Sequence, residues 1–169
     1  MKRRRFLKLG ILGGVVLGAA GLGLWPSRKE HAPKRALKVL DERRFAVMAA
    51  VAARTVRTKA ADPVEIAHRV DDYLALQTEQ VQGDIKSLLL LFENALAGLL
   101  FDGRVKPFTR LSPEAQDGVL LAWRDSKITV RRAGYHALRK LTMSAYWAMP
   151  EHWAEAGYNG PPAIQGVPT

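Results

Sequence analysis

Four histidines, His31, His68, His136 and His152, are the side chains of this 169-residue chain best suited to proton transfer or metal ligation. Their spacing supports neither, because none stands in a His-Glu-x-x-His or comparable ligand pattern. His68 and His136 fall on polar faces of expected helices and read as solvated imidazoles. Asp41-Glu42 and Asp71-Asp72 are adjacent pairs, so on a helix their side chains diverge and cannot share a substrate; they read as helix-surface charges. No serine occupies a Gly-x-Ser-x-Gly elbow, and the glycines beyond the first 25 residues are isolated, which leaves no phosphate-cradling loop. The chain has no cysteine, and this excludes a disulfide framework, a thiolate zinc site, an iron–sulfur cluster and Cys-linked haem. The residues give no convincing catalytic constellation and no metal or cofactor site in this chain.

The chemistry that does gather is that of recognition. Trp123, Tyr135, Tyr146, Trp147, Trp153 and Tyr158 are interleaved with Arg124, Arg131, Arg132, Arg139 and Lys140. Trp, Tyr and Arg are the types enriched at the centres of protein interfaces. A helical core in need of large side chains is the competing account, and it suits Trp123 and Tyr135. Trp147, Trp153 and Tyr158 surround the end of the last expected helix, where a small domain has little core left, and there the two accounts stand level. The candidate partner-binding set is Arg131, Tyr135, Arg139, Trp147, Trp153 and Tyr158.

A second constellation opens the chain. Arg3, Arg4, Arg5, Phe6, Leu7 and Lys8 precede a charge-free, glycine-rich run from Leu9 to Trp25. Basic head, Phe-Leu-Lys step and soft apolar core together read as a twin-arginine export signal, with Arg3 and Arg4 as the pair and Lys2 where Ser or Thr is commoner. That route carries proteins already folded, so the expected location is the periplasm in association with the inner membrane. The other reading is a membrane anchor, although about 20 apolar residues span a bilayer and this run is short and diluted by glycine. No clean Ala-x-Ala precedes Pro26, so cleavage and retention as an anchor both stay open.

Behind the leader, roughly 140 residues remain, enough for one domain. The formal net charge is +10, of which Lys2, Arg3, Arg4, Arg5 and Lys8 supply half. The remaining surplus is too mild for a nucleic-acid footprint, and no nucleic-acid partner is expected. Pro26 to Lys38 carries three basic runs and two prolines with almost nothing apolar, and reads as a linker. Helical periodicity follows: Phe45, Met48, Ala49, Ala52 and Val56 on one face, with Asp41 as N-cap, then Ile66, Val70, Tyr73 and Leu74 behind the start signal Asp62-Pro63. A third helix is expected from about Thr78 to Leu100, apolar all round at Leu88–Phe92 and therefore buried on most sides. Ser112-Pro113-Glu114 starts a fourth, with Val119, Leu120 and Trp123 inward. A last long helix has Tyr135, Leu138, Thr142 and Ala145 as its seam and stops at Pro150. The expectation is all-α: a single compact bundle of about five helices behind an N-terminal signal or anchor helix. The divisions are leader 1–25, basic linker 26–39, helical partner-binding domain 40–162 and tail 163–169.

The stretch Phe108-Thr-Arg-Leu-Ser-Pro-Glu-Ala-Gln-Asp117, then Trp123-Arg-Asp-Ser126, then Arg131-Arg-Ala-Gly-Tyr135-His-Ala-Leu-Arg139 resembles the small subunit of membrane-bound flavin dehydrogenases, the gluconate 2-dehydrogenase subunit 3 family. Tyr146, Trp153 and Gly157-Tyr158-Asn-Gly160-Pro161 continue the likeness, and Leu40 to Arg54 is similar to the family's opening helix. The resemblance covers about Leu40 to Pro162. It implies a non-catalytic partner of a large FAD-bearing oxidoreductase subunit that lacks its own export signal and leaves the cytoplasm bound to the small one. It further implies a possible third subunit, a multihaem cytochrome c, and the twin-arginine translocase as a transient partner. Several relatives carry cysteines and this chain has none, so it contributes no disulfide to such an assembly. The rival expectations are a membrane-anchored helical scaffold unrelated to redox chemistry and an autonomous periplasmic enzyme.

Overall fold

Side-chain caps set where the helices begin. The computed structural model describes residues 31–94 and 106–161. Helix α1 (Glu42–Thr55) starts where Asp41 accepts from the Arg44 amide, and α2 (Pro63–Ala75) where Asp62 accepts from the Val64 and Glu65 amides with Pro63 at the first position. Thr78 caps α3 (Glu79–Glu93), and Ser112 caps α4 (Pro113–Arg124). Helix α5 (Thr129–Trp147) is the longest among the described residues, and short 3-10 segments run over Phe108–Arg110 and Pro150–Ala156. The fold is all-α; no strand occurs among the described residues. The leader, the continuation of the third helix to Leu100, its stop at Asp102-Gly103, and the tail lie outside the described residues.

The enclosed helix is α1, not α3. Every residue from Phe45 to Ala52 is buried, and α1 packs against α2, α3, α4 and α5. Its small side chains are the reason: Ala46, Ala49, Ala50 and Ala52 let neighbours close in on all sides, while Phe45 and Met48 fill the deeper gaps. On α3 only Leu89, Phe92 and Glu93 are buried, and Leu88, Leu90 and Leu91 are half-covered. Continuous apolarity there does not mean enclosure. The centre of the aromatic core is Phe92, edge-on to Phe108 at 4.6 Å and to Trp123 at 4.5 Å. Val119, Leu120, Leu138, Thr142 and Ala145 are buried as their spacing predicts, whereas Tyr73 leaves the α2 stripe and is 51% exposed.

The largest departure lies on α2. Asp71, read from the sequence as a surface charge, is 1% exposed and accepts three successive backbone amides: Lys38 N at 2.7 Å, Val39 N at 3.1 Å and Leu40 N at 2.7 Å. His68, read as solvated, is 2% exposed, and its Nε2 accepts from the Lys34 amide at 3.0 Å. The end of the expected linker is therefore a strap fastened along α2. Its charges match those of the helix: Lys34 pairs with Asp62, Arg35 and Lys38 with Asp72. Leu37 and Val39 pack partly into the core and Leu40 fully. Buried carboxylates need several donors, and a run of successive backbone amides supplies them without any particular side chain.

Candidate functional site

Helix α5 carries four of the six candidate partner-binding residues, and its geometry separates them. From Arg131 to Trp147 the axis advances about 24 Å at roughly 1.5 Å per residue, so one patch cannot include both ends. Arg131 is buried, with its guanidinium carbon 5.5 Å from the centroid of the Trp123 ring, a cation–π contact inside the domain. It lies in the fold rather than on a docking face.

Tyr135 and Arg139 share a different environment. With Arg54 and Thr55 from the end of α1, Arg57 just beyond it, and Asp117, Leu120, Leu121 and Arg124 from α4, they line a cavity of about 240 Å³. Four arginines thus face one aspartate. Asp117 is spent on two of them: Arg54 donates through Nε at 2.8 Å and through the terminal nitrogen at 2.6 Å, and Arg57 lies 3.1 Å away. The Arg54 hydrogen bond outweighs burial and holds the Asp117 carboxyl below the usual carboxylate range. Arg124 grips its neighbour Asp125 through two bonds of 2.8 Å. Arg139 is exposed, and its guanidinium has no hydrogen-bond or ion-pair partner among the described residues. Leu121, 46% exposed, adds an apolar lip. Chemically, the pocket can take a carboxylate side chain flanked by an apolar one.

The C-terminal aromatics form the second surface. Tyr146 is fully buried and donates to Glu155 at 2.7 Å, shares a 2.8 Å bond with Thr58, and stacks on His152 at 4.0 Å. Burial is the main cause that pushes the Tyr146 hydroxyl pKa up. Trp153 is half-buried; its indole N–H donates to the Trp147 carbonyl at 2.9 Å and its ring meets Tyr158 edge-on at 5.3 Å. The turn that brings Tyr158 back needs Gly157 at φ 68°, a left-handed position that disfavours any side chain. Trp147 is half-buried and Tyr158 is 48% exposed, so this end keeps aromatic surface in water.

Two features escaped the sequence reading. Arg54, Arg57 and Asp117 come together only through the packing of α1 on α4, and no spacing announces it. Buried Glu93 accepts from the Thr109 amide at 3.0 Å and the Thr109 hydroxyl at 2.6 Å, a staple between α3 and the 3-10 turn. Its signal was an acid at the end of an apolar run, where a satisfied buried carboxylate is as natural as a solvated one. His136 is exposed, and His152 is buried against Tyr146. Among the described residues no group of three or more potential ligands could hold a metal ion, and no helix is long and apolar enough to cross a membrane. The export residues Arg3, Arg4, Phe6, Leu7 and Lys8 lie outside the described residues. Compared with known proteins, the chain matches no family model, no curated protein and no solved structure.

Proposed function

We propose that the chain is the non-catalytic accessory subunit of a periplasmic, membrane-associated FAD-dependent sugar or alcohol dehydrogenase. Its work is to take the folded flavin subunit out by the twin-arginine route and to stabilise it there. The observation that carries this reading is the combination of a folded-export leader with the ordered motif series from Leu40 to Pro162. A leader of that type on a small helical domain has a purpose if the domain carries a passenger. Two surfaces suit such a passenger: the arginine-lined pocket with Tyr135 and Arg139, and the aromatic end with Trp147, Trp153 and Tyr158. FAD belongs to the partner in this reading, and a cytochrome c subunit would take its electrons onward.

The test uses the shared leader. Replacing Arg3 and Arg4 together with Lys is expected to strand both this chain and the flavin subunit in the cytoplasm, as read by fractionation and immunoblot. A flavin subunit that still reaches the periplasm contradicts the proposal. An isolated chain that reduces a dye with sugar as donor would instead establish an autonomous enzyme.

A further inference from the structure

The segment that joins the leader to the helices is held by two independent fastenings. Asp71 grips the backbone of Lys38, Val39 and Leu40, and His68 grips the backbone of Lys34. We propose that the second fastening is an acid-released latch: protonation of His68 at Nε2 frees the strap from Lys34 to Leu37, while the Asp71 fastening stays closed.

The geometry dictates the protonation state. A backbone amide can only donate, so the Nε2 that it meets at 3.0 Å must be the unprotonated nitrogen of the ring. A proton there sets two donors against each other in a site that is 2% exposed. The ring lies against Phe45 of α1, with centroids 4.6 Å apart, which offers no polar group to the imidazolium. Five charged groups face His68 from the strap and from α2. Lys34 contributes the bonded amide, and its ammonium is turned to Asp62; Arg35 disfavours the proton, while Glu65, Asp71 and Asp72 favour it. Burial is the largest influence and Arg35 the second, and together they keep the ring neutral at neutral pH.

Besides the amide bond, that half of the strap has the partly buried Leu37, Arg35 at 3.9 Å from Glu65, and two closer ion pairs. The Lys34–Asp62 and Arg35–Asp72 pairs are substantially exposed, and such pairs are worth about 0–1 kcal/mol each. Freeing four residues lengthens the tether between leader and domain by about 14 Å. Under the export reading, this would couple the reach of the leader to the acidity of the compartment; the latch itself does not depend on that reading.

The absence of cysteine makes the latch directly observable. Ala36 is exposed in the middle of the strap, so Ala36→Cys in the full chain accepts a single nitroxide spin label. The expected electron spin resonance spectrum is immobilised at pH about 7.5 and becomes reversibly mobile towards pH about 5, with a midpoint below the ordinary histidine value. Circular dichroism should stay unchanged across that range. In His68→Gln and His68→Leu, one keeping an acceptor and one deleting it, label mobility should no longer depend on pH. A wild-type label whose mobility does not change with pH overturns the proposal. So does pH-driven release that persists in either variant, because another group would then be the trigger.

Discussion

The two ends of the described domain are fastened by opposite chemistry. At the N-terminal end a buried carboxylate and a buried imidazole hold backbone amides, and of the strap's side chains only Leu40 is fully buried. At the C-terminal end the side chains do the holding: Tyr146 stacks on His152, Trp153 bonds the Trp147 carbonyl, and Tyr158 closes over Trp153. The difference determines what each end can offer a partner. The strap spends its polar groups inward and leaves little to dock against, whereas the aromatic end keeps half-exposed rings whose further burial would stabilise a complex. A buried polar fastening also fails abruptly when one acceptor is lost, because several donors are orphaned together. An aromatic cap loses contact area by degrees.

The largest expected effect is therefore at Asp71. Asp71→Ala leaves three amides without their acceptor in a nearly dry site, and should cost about 3 kcal/mol or more. The check is the urea midpoint at constant m-value. A loss below about 1 kcal/mol would mean that water replaces the carboxylate, and the contrast between the ends would collapse. At the other end, Trp153→Ala should weaken flavin-subunit binding by about 2 kcal/mol, read by co-purification, and leave the isolated domain folded. If the complex survives and the domain melts, Trp153 is core and the aromatic end is no docking surface. Tyr146→Phe removes bonds to Thr58, which is exposed, and to Glu155, which is about one-third exposed, so water can replace them. About 1 kcal/mol is expected in the same urea assay, clearly less than at Asp71.

Acid should act on the strap end in a defined sense. The His68 imidazole is held below its ordinary value by burial first and Arg35 second, so the unfolded chain takes up its proton first. The stability contributed by neutral His68 is complete above the unfolded histidine pKa and is lost as pH falls towards the folded value. Asp62 and Asp72 are lowered chiefly by Lys34 and Lys38 hydrogen bonds, so their contributions are complete above the ordinary aspartate value and are lost as pH falls from it towards the lower folded values. Urea midpoints measured against pH should thus fall in two stages, and His68→Gln should remove the first. The smallest effect is a control for the helices between the two ends. Gly118 in α4 has open space around its Cβ position, so Gly118→Ala should stabilise by about 0.5–1 kcal/mol. Gly134→Ala would bring a methyl within 2.9 Å of the buried Trp123 ring and should instead destabilise the fold in the same assay.

What could be read from residues alone was local. Asp41, Asp62-Pro63, Thr78 and Ser112-Pro113 begin helices where their short-range chemistry predicts, because an N-cap needs only the next three amides. The inward faces of α1 and α4 follow from period alone. The order of enclosure did not, since Leu88–Leu91 is more apolar than the alanine-rich α1, yet α1 is the helix that neighbours can surround. Asp71 and His68 were misjudged for a related reason. On a helix viewed alone they occupy the polar side, and only the strap, more than thirty residues earlier in sequence, turns that side into an interior. Leu37, Val39 and Leu40 among basic residues, opposite Glu65, Asp71 and Asp72 on α2 and its N-cap Asp62, were the signal available. Of the six candidate contact residues, the series on α5 was legible as a set but not as two places, because helix rise separates what sequence order joins.

The central claim is that this chain leaves the cytoplasm with a flavoprotein bound to it. The direct measurement is flavin absorbance, and the accompanying large subunit, in the full-length chain purified from the periplasmic and membrane fractions of its own cell. The account predicts roughly one flavin per chain, with the large subunit absent from those fractions when Arg3 and Arg4 are both Lys. A chain recovered there alone, colourless and equally abundant with or without any flavoprotein partner, would contradict it.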